Sequence, residues 1–142
     1  MKEYTSPRGW YRLSYPNNWT MGVEDETNVI LYEPGGGTGT LRVTAIRAEG
    51  APPFEADEFL EQHRRKHNAA WVNLGDMRAV YYTEESIERA EEVVTHHWLV
   101  GKGRLVILAS FALPKGASRS KAGQQELDLT VGTLRSIVFL SE

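Results

Sequence analysis

Apolar and polar positions alternate in "WYRLSY" at 10–15. Tyr11, Leu13 and Tyr15 fall on one face of a strand, with Trp10, Arg12 and Ser14 on the other. Pro16 ends the run, and "PNNW" reads as a turn. "NVILYE" at 28–33 and "LRVTAIRA" at 41–48 are two further strands, joined through "PGGGTGT" as a hairpin. "EGAPP" at 49–53 breaks the strand pattern. A helix follows over 54–67, "FEADEFLEQHRRKH", its apolar stripe starting at Phe59 and Leu60. Acidic residues fill its first half and basic ones its second, which complements the helix dipole, and Glu61 and Arg65 are spaced to pair.

The second half repeats the pattern of strands followed by a helix. The segment 71–84 contains the strand "MRAVYYT". "EESIERAEE" at 84–92 stays open between a helix, favoured by propensity, and a polar hairpin loop, favoured by its strand-like flanks. "VVTHHWLV" and "RLVILASFAL" read as two strands joined at Gly101-Lys102-Gly103, where glycine supplies positive φ. Turned at Gly101-Lys102, that hairpin sets Trp98 opposite Leu105 and His96 opposite Ile107. Residues 104–113 are apolar on both faces, as in a central strand covered on both sides. After the polar stretch "KGASRSKAG", Ser118 or Ser120 caps a last helix reaching about 137, with Leu127, Val131, Leu134 and Val138 as its stripe. Gly132 weakens that helix by about 1 kcal/mol relative to alanine.

The order is β-β-β-α-β-β-β-α. Short connections between strands imply antiparallel pairs, and two amphipathic helices must cover the sheet. The fold class is α+β: one domain over 1–142, with an antiparallel sheet of about six strands flanked by helices.

Composition changes this picture mainly by exclusion. The 142 residues fit one domain, which buries about 68–70% of its unfolded surface. The formal net charge is −3, and "HRRKH" at 63–67 is too short for a basic footprint, so no nucleic acid is expected as a partner. There is no cysteine, which removes disulfides, thiolate metal sites and thiol nucleophiles. The N-terminus lacks the apolar core of a signal peptide, and the longest apolar run, "LVILASFAL" at 105–113, is far short of the roughly 18 residues of a membrane span. The Asn18-Trp19-Thr20 sequon carries no meaning without a secretory signal. A cytoplasmic location is the expectation.

"SPRGWYRLSYPNNW" at 6–19, with its "YP..W" turn, resembles the opening of PsbP-like domains. "NVILYEPGGGTGTLRVTAI" and the closing "LRSIVF" at 134–139 are similar to that group as well. The resemblance covers nearly the whole chain in element order, and its specific motifs are the "YP..W" turn and "SIVF". It implies an antiparallel sheet between helices. It also implies a binding role, because the superfamily holds photosystem accessory proteins, a Ran-binding nuclear transport factor, secretion-effector chaperones and many bacterial domains of unknown function. This chain looks most like the last group. The family offers no catalytic motif to carry over, and fold-level analogy alone does not fix function.

The candidate chemistry is sparse. "GGGTGT" at 35–40 lacks the lysine and the following helix of a phosphate loop, so it reads as a flexible hairpin loop. His63 and His67 share a helix face at i,i+4, a spacing that suits one metal ion. Arg64, Arg65 and Lys66 between them oppose a dication and no third ligand is evident, so they read as a polar edge of the stripe from Phe59. His96 and His97 are adjacent in a strand and therefore point to opposite faces, His96 with Val94, Trp98 and Val100, and His97 with Thr95 and Leu99. Glu24-Asp25-Glu26, Glu84-Glu85 and Glu91-Glu92 read as solvated clusters, and Ser118 and Ser120 as helix caps. No catalytic, cofactor or metal residue is assigned.

Of the aromatics Trp10, Tyr11, Tyr15, Trp19, Tyr32, Trp71, Tyr81, Tyr82 and Trp98, most must be core, and those left exposed would be interface anchors; the sequence does not sort one set from the other. The functional expectation is a bacterial, non-catalytic protein-binding domain, adaptor or chaperone-like, with another protein as partner. A homodimer stays open. The alternatives are a small-ligand or metal carrier using the sheet–helix crevice or His63/His67, and a hydrolase built on loop carboxylates, for which a buried carboxylate pair in a cleft would be diagnostic.

Overall fold

The structure is a computed structural model that describes residues 1–49 and 54–140. The predicted break at 49–53 thus lies outside the described residues except for Glu49, and residues 141–142 of the expected domain lie outside them too.

The alternation in 10–15 builds a small sheet. Strand β2 (Tyr11–Tyr15) buries Tyr11, Leu13 and Tyr15. It pairs antiparallel with β1 (Lys2–Thr5) on one side and β10 (Val138–Phe139) on the other. The Ser6 hydroxyl accepts from the Trp10 and Tyr11 amides and closes the β1–β2 turn. Ser136 ties the chain's end to its beginning, since its Oγ accepts from the Ser14 amide at 2.8 Å. "SIVF" and the aromatic opening strand therefore meet in one sheet. The "PNNW" turn closes through the Trp19 amide on the Pro16 carbonyl.

The large sheet has the order β3-β4-β5-β9-β8-β7-β6, every pair antiparallel. Its members are β3 (Thr20–Val23), β4 (Asn28–Tyr32), β5 (Thr40–Arg47), β6 (Ala70–Leu74), β7 (Met77–Glu88), β8 (Glu91–Lys102) and β9 (Leu105–Pro114). The apolar run 105–113 takes the fourth place, between β5 and β8, as an element apolar on both faces should.

Helix α1 (Ala56–His67) lies on one face of this sheet, over a cluster of Leu60, Val80 and Leu99 with Phe59, Trp71, Tyr82 and Leu108. Helix α3 (Lys121–Arg135) and the small sheet cover the other face, over the main core of Trp98, Ile107, Phe111, Leu31 and Leu134. A single turn of helix, α2 (Lys115–Ser118), precedes α3. Ser120 caps α3 by accepting from the Gly123 amide. Asn68 ends α1 in the left-handed region, and Ala69 N–H returns to the Arg64 carbonyl.

The α+β class and the helix-flanked antiparallel sheet hold. Four details change. There are ten strands in two sheets among the described residues, where about six in one sheet were expected. The extra strands β1, β3 and β10 have two to four residues, too few for a periodic signal, and the five residues of β6 bury only Leu74 and do not alternate. Residues 84–92 are neither helix nor loop but the tip of a long hairpin, because cross-strand pairing with β8 overrides the helix propensity of its glutamates. The β8–β9 turn sits at Gly103-Arg104, so Trp98 faces Ala109 and His96 faces Phe111, instead of Leu105 and Ile107. That shift preserves which face each side chain takes. Gly103 has φ +60° and makes the turn, whereas Gly101 is a strand residue beneath α1, where a Cβ would stand 2.8 Å from Ala56 Cβ. Finally, Val138 leaves the helical stripe for β10 and is exposed, since α3 stops at Arg135.

Gly132 faces open space on α3 and has no positive φ. Gly132→Ala is expected to stabilise the domain by about 1 kcal/mol, read as a raised urea midpoint with unchanged slope.

Candidate interaction site

The two faces of the β7–β8 ribbon carry different aromatic arrays. On the α1 face the Tyr82 ring is stacked against His67 at 4.1 Å and against its cross-strand neighbour His97 at 4.6 Å. His63 and Phe59 continue the series along α1. Glu84 Oε1 accepts from His97 Nε2 at 2.8 Å. Burial pulls the His97 pKa down more strongly than Glu84 pushes it up. His63 is also lowered, first by burial and then by the positive potential of His67 and Lys66.

The other face has its own array. His96 Nδ1 is hydrogen-bonded to the Tyr81 hydroxyl at 2.7 Å, with Trp98 and Phe111 beside it. Burial lowers the His96 pKa, and His97 adds to the effect. Burial raises the Tyr81 and Tyr82 hydroxyls above the usual 10.

The structure therefore separates His96 from His97. His63 and His67 do share a face, but their rings are stacked 20° from parallel with centroids 5.9 Å apart. In-plane lone pairs of near-parallel rings run side by side and do not meet at one ion. No group of three metal-ligating side chains is assembled among the described residues.

The glycine loop between β4 and β5 is pinned, which corrects the expectation of a flexible loop. Glu126, 7% exposed, reaches from α3 and accepts from the Thr38 amide (2.6 Å), the Thr38 hydroxyl and the Gly39 amide (3.1 Å). Loop amides that would cradle a phosphate are thus taken by the chain's own carboxylate. The glycines serve close approach: a Cβ on Gly39 would lie 2.6 Å from Phe111 Cζ, and one on Gly37 would lie 2.5 Å from the Glu33 carbonyl. Glu126 was not singled out in the sequence. Its only trace there is a carboxylate amid the apolar positions of α3.

The other carboxylates have local roles. Asp25 accepts from Thr27 and Asn28 in a turn, and these bonds lower its pKa. Glu24 pairs with Arg42 and Glu26 with Arg8. Glu61 binds Arg64 and Arg65, which hold its pKa at about 2. Among the described residues Glu126 is the sole buried carboxylate, so the buried pair diagnostic of a hydrolase does not appear there. No Phe, Tyr or Trp among the described residues is exposed, and the Arg78 guanidinium covers the Trp71 ring at 3.8 Å.

What stands out instead is the tip of the β7–β8 ribbon. From Thr83 to Glu92 every described residue is exposed, Ile87 to 74%. The tip carries Glu84, Glu85, Glu88, Glu91 and Glu92 against Arg89. Lys115 of α2 braces its base through Glu85 at 2.8 Å. Open recesses flank it, one lined by Glu91, Val93, Ala112 and Pro114, the other by Glu92, Lys115 and Arg119.

The turn at the tip is Arg89-Ala90, with φ +53° and +65°. Both residues occupy a region that asparagine and glycine tolerate far better. Replacing the pair with Asn-Gly is expected to raise stability by about 1–2 kcal/mol, visible as a higher melting temperature.

A family model described as a domain of unknown function, DUF3805, matches residues 1–133. The chain belongs to that family. No protein of curated function matches the sequence. Among solved structures, a crystal structure from Bacteroides thetaiotaomicron VPI-5482 aligns with TM-score 0.82 at 22% identity, over 99% of this chain and 49% of that one. The domain thus spans about half the length of that relative. LpqN, involved in cell envelope biogenesis of Mycobacterium tuberculosis, aligns with TM-score 0.64 at 10% identity, covering 92% of this chain and 83% of LpqN. A point mutant of the protein Mog1 aligns with TM-score 0.58 at 11% identity, covering 99% of this chain and 96% of Mog1. At these identities the likeness concerns the fold alone, the antiparallel sheet between helices that the resemblance of residues 6–19 and 134–139 implies. No helix among the described residues is long and apolar enough to cross a membrane.

Proposed function

We propose that the domain is a non-catalytic protein-binding module, an adaptor or chaperone-like accessory element, and that it docks its partner on the β7–β8 tip. The observation that carries this reading is the exposed tip, with Ile87 held out on a ribbon braced by Lys115. Ile87 stands on β7 two residues before the turn, where Arg89 and Ala90 hold positive φ, and strained backbone of this kind clusters at binding sites. In this reading the domain works in a bacterial cytoplasm, which its cysteine-free composition suits.

The test is affinity purification with quantitative mass spectrometry from the native cell. The intact domain is compared with one whose ribbon is cut back to an Asn-Gly turn between Glu84 and Thr95. A specific protein should be enriched by the first and lost from the second. A partner retained by the shortened form, or no specific partner at all, would sink the proposal.

A second reading, a small-ligand carrier, is favoured by a crevice of about 230 Å³ between α3 and β6–β7, lined by Val72, Leu74, Tyr81, Leu127 and Val131 with Asp128 at its rim. It lies below the roughly 300 Å³ of ordinary ligand pockets, so it suits only a fragment-sized apolar group. A thermal-shift screen of small metabolites with no stabilised hit would remove this reading.

A further inference from the structure

The outer side of β7 is unpaired from Thr83 onward. Pairing with β6 reaches only as far as Ala70 opposite Tyr81, and residues 83–88 have no strand beside them among the described residues. The tip turn decides which backbone groups face that open side. In a hairpin closed by two residues, the flanking pair, here Glu88 and Glu91, exchanges both hydrogen bonds, and bonded and non-bonded pairs then alternate. The backbone groups of Ser86 and Glu84 therefore turn inward to β8. Those of Thr83, Glu85 and Ile87 turn outward, offering three N–H donors and three carbonyls to an incoming strand.

A second copy of this chain is a poor occupant. Two such edges joined antiparallel must set outward residues against outward residues, so each register is centred on a single residue. Centred on Glu84 or on Glu85, that glutamate meets its own copy. Centred on Ser86, Glu84 meets Glu88 twice, and centred on Ile87 the strand supplies only Ser86, Ile87 and Glu88 before the turn, too few to hold a pair. Like charges directly opposite destabilise a pair of strands. Charges on an edge protect it from self-association, and here all of those on the edge itself have one sign. Glu84 and Glu85 are partly balanced by His97 and Lys115. Glu88 and Glu91 have no cationic partner among the described residues.

We propose that this edge takes an extended, basic segment of another protein as an added strand. The proposal rests on the protein-binding reading and names the chemistry of the partner. Pleating fixes its pattern. Glu84, Ser86 and Glu88 share one face, so the added strand carries lysine or arginine there. Thr83, Glu85 and Ile87 share the other, where Ile87 calls for an apolar or β-branched neighbour. The partner segment therefore alternates basic with apolar or β-branched residues.

The probe is an eight-residue peptide alternating lysine with threonine and valine, titrated into the labelled domain by NMR beside a counterpart with glutamate for lysine. Ile87→Pro removes an outward N–H without touching the ladder to β8, and Ile87→Ala keeps that N–H. The basic peptide should bind and slow amide exchange at Thr83, Glu85 and Ile87. Ile87→Pro should bind it about tenfold more weakly than Ile87→Ala, and the acidic peptide should not bind. Equal binding by the proline and alanine variants, equal binding of both peptides, or no binding of the basic one overturns strand addition. If strand addition falls while the cut-back ribbon still loses a captured protein, the protein-binding reading stands. If that loss is absent too, both fall.

Discussion

Glu126→Ala should destabilise the domain by about 2–3 kcal/mol, measured by urea unfolding. The carboxylate is buried and accepts three hydrogen bonds from Thr38 and Gly39, and bonds to a charged acceptor are worth about 1.5–3 kcal/mol. Removing it strands two loop amides and a hydroxyl. Water reaches the loop from outside and recovers part of that loss, which keeps the figure below the sum of three bonds. Glu126→Gln retains one accepting oxygen but turns an NH₂ toward donors, so it should lose about half as much. Amides of residues 35–39 should exchange faster in both variants. A Glu126→Ala protein within about 0.5 kcal/mol of the parent would mean that the loop holds itself.

Mild acid should loosen α1 before the rest of the fold. The folded-state pKa values of His63, His96 and His97 all lie below the usual 6.5. Below that value the unfolded chain binds more protons than the folded one, so stability falls as pH falls. Their full contribution is present above about 6.5 and is lost on descending toward each lowered pKa.

Carboxylates act in a separate window. Glu61, Asp25 and Glu85 are lowered by their partners, so their contribution is present above the ordinary carboxylate value and is lost as pH falls from there toward each lowered one. Between about 6.5 and 4.5 the histidines decide the slope. Two of them, His63 and His97, belong to the array on Tyr82 that seats α1, and new charge there meets Lys66, Arg64 and Arg65 with Glu84 and Glu61 as the nearby anions. Melting temperature should decline from pH 7.5 to 5. Exchange protection should drop first in α1, and His63→Phe with His97→Phe should flatten the decline. A melting temperature constant across that range would refute the assignment.

Legibility followed the length of each element. The runs at 10–15, 28–33, 41–48 and 104–113 and both long helices carry enough period to be read directly, and their faces are those of the structure. β10 is a strand only because Ser136 and β2 are already in place, a partnership separated by over a hundred residues that no local pattern encodes. Residues 84–88 show a different limit. Their glutamates favour a helix, and cross-strand pairing overrides them. The histidine doublet could be dismissed by parity alone. The stack of His67, Tyr82 and His97 could not be foreseen, because it needs the angle at which α1 crosses β7 and β8. Glu126 stayed hidden because a polar residue in an amphipathic helix is ordinarily solvated, and only its distance to Thr38 and Gly39 reveals its use.

The place of β9 between β5 and β8 also dictates when the chain can finish folding. β3, β4 and β5 form a meander from consecutive residues, but the free side of β5 is filled only by residues 105–112. During synthesis that apolar strand waits, uncovered, while some sixty residues are added. The pairing is long-range, so refolding should fall in the slow range of β-rich domains, roughly milliseconds to seconds, and stopped-flow tryptophan fluorescence would time it. A nascent chain halted before Leu105 presents the unpaired backbone edge of β5, residues 40–47, to whatever binds exposed strands. For this fold the hazardous moment is therefore on the ribosome, before the sheet has its middle.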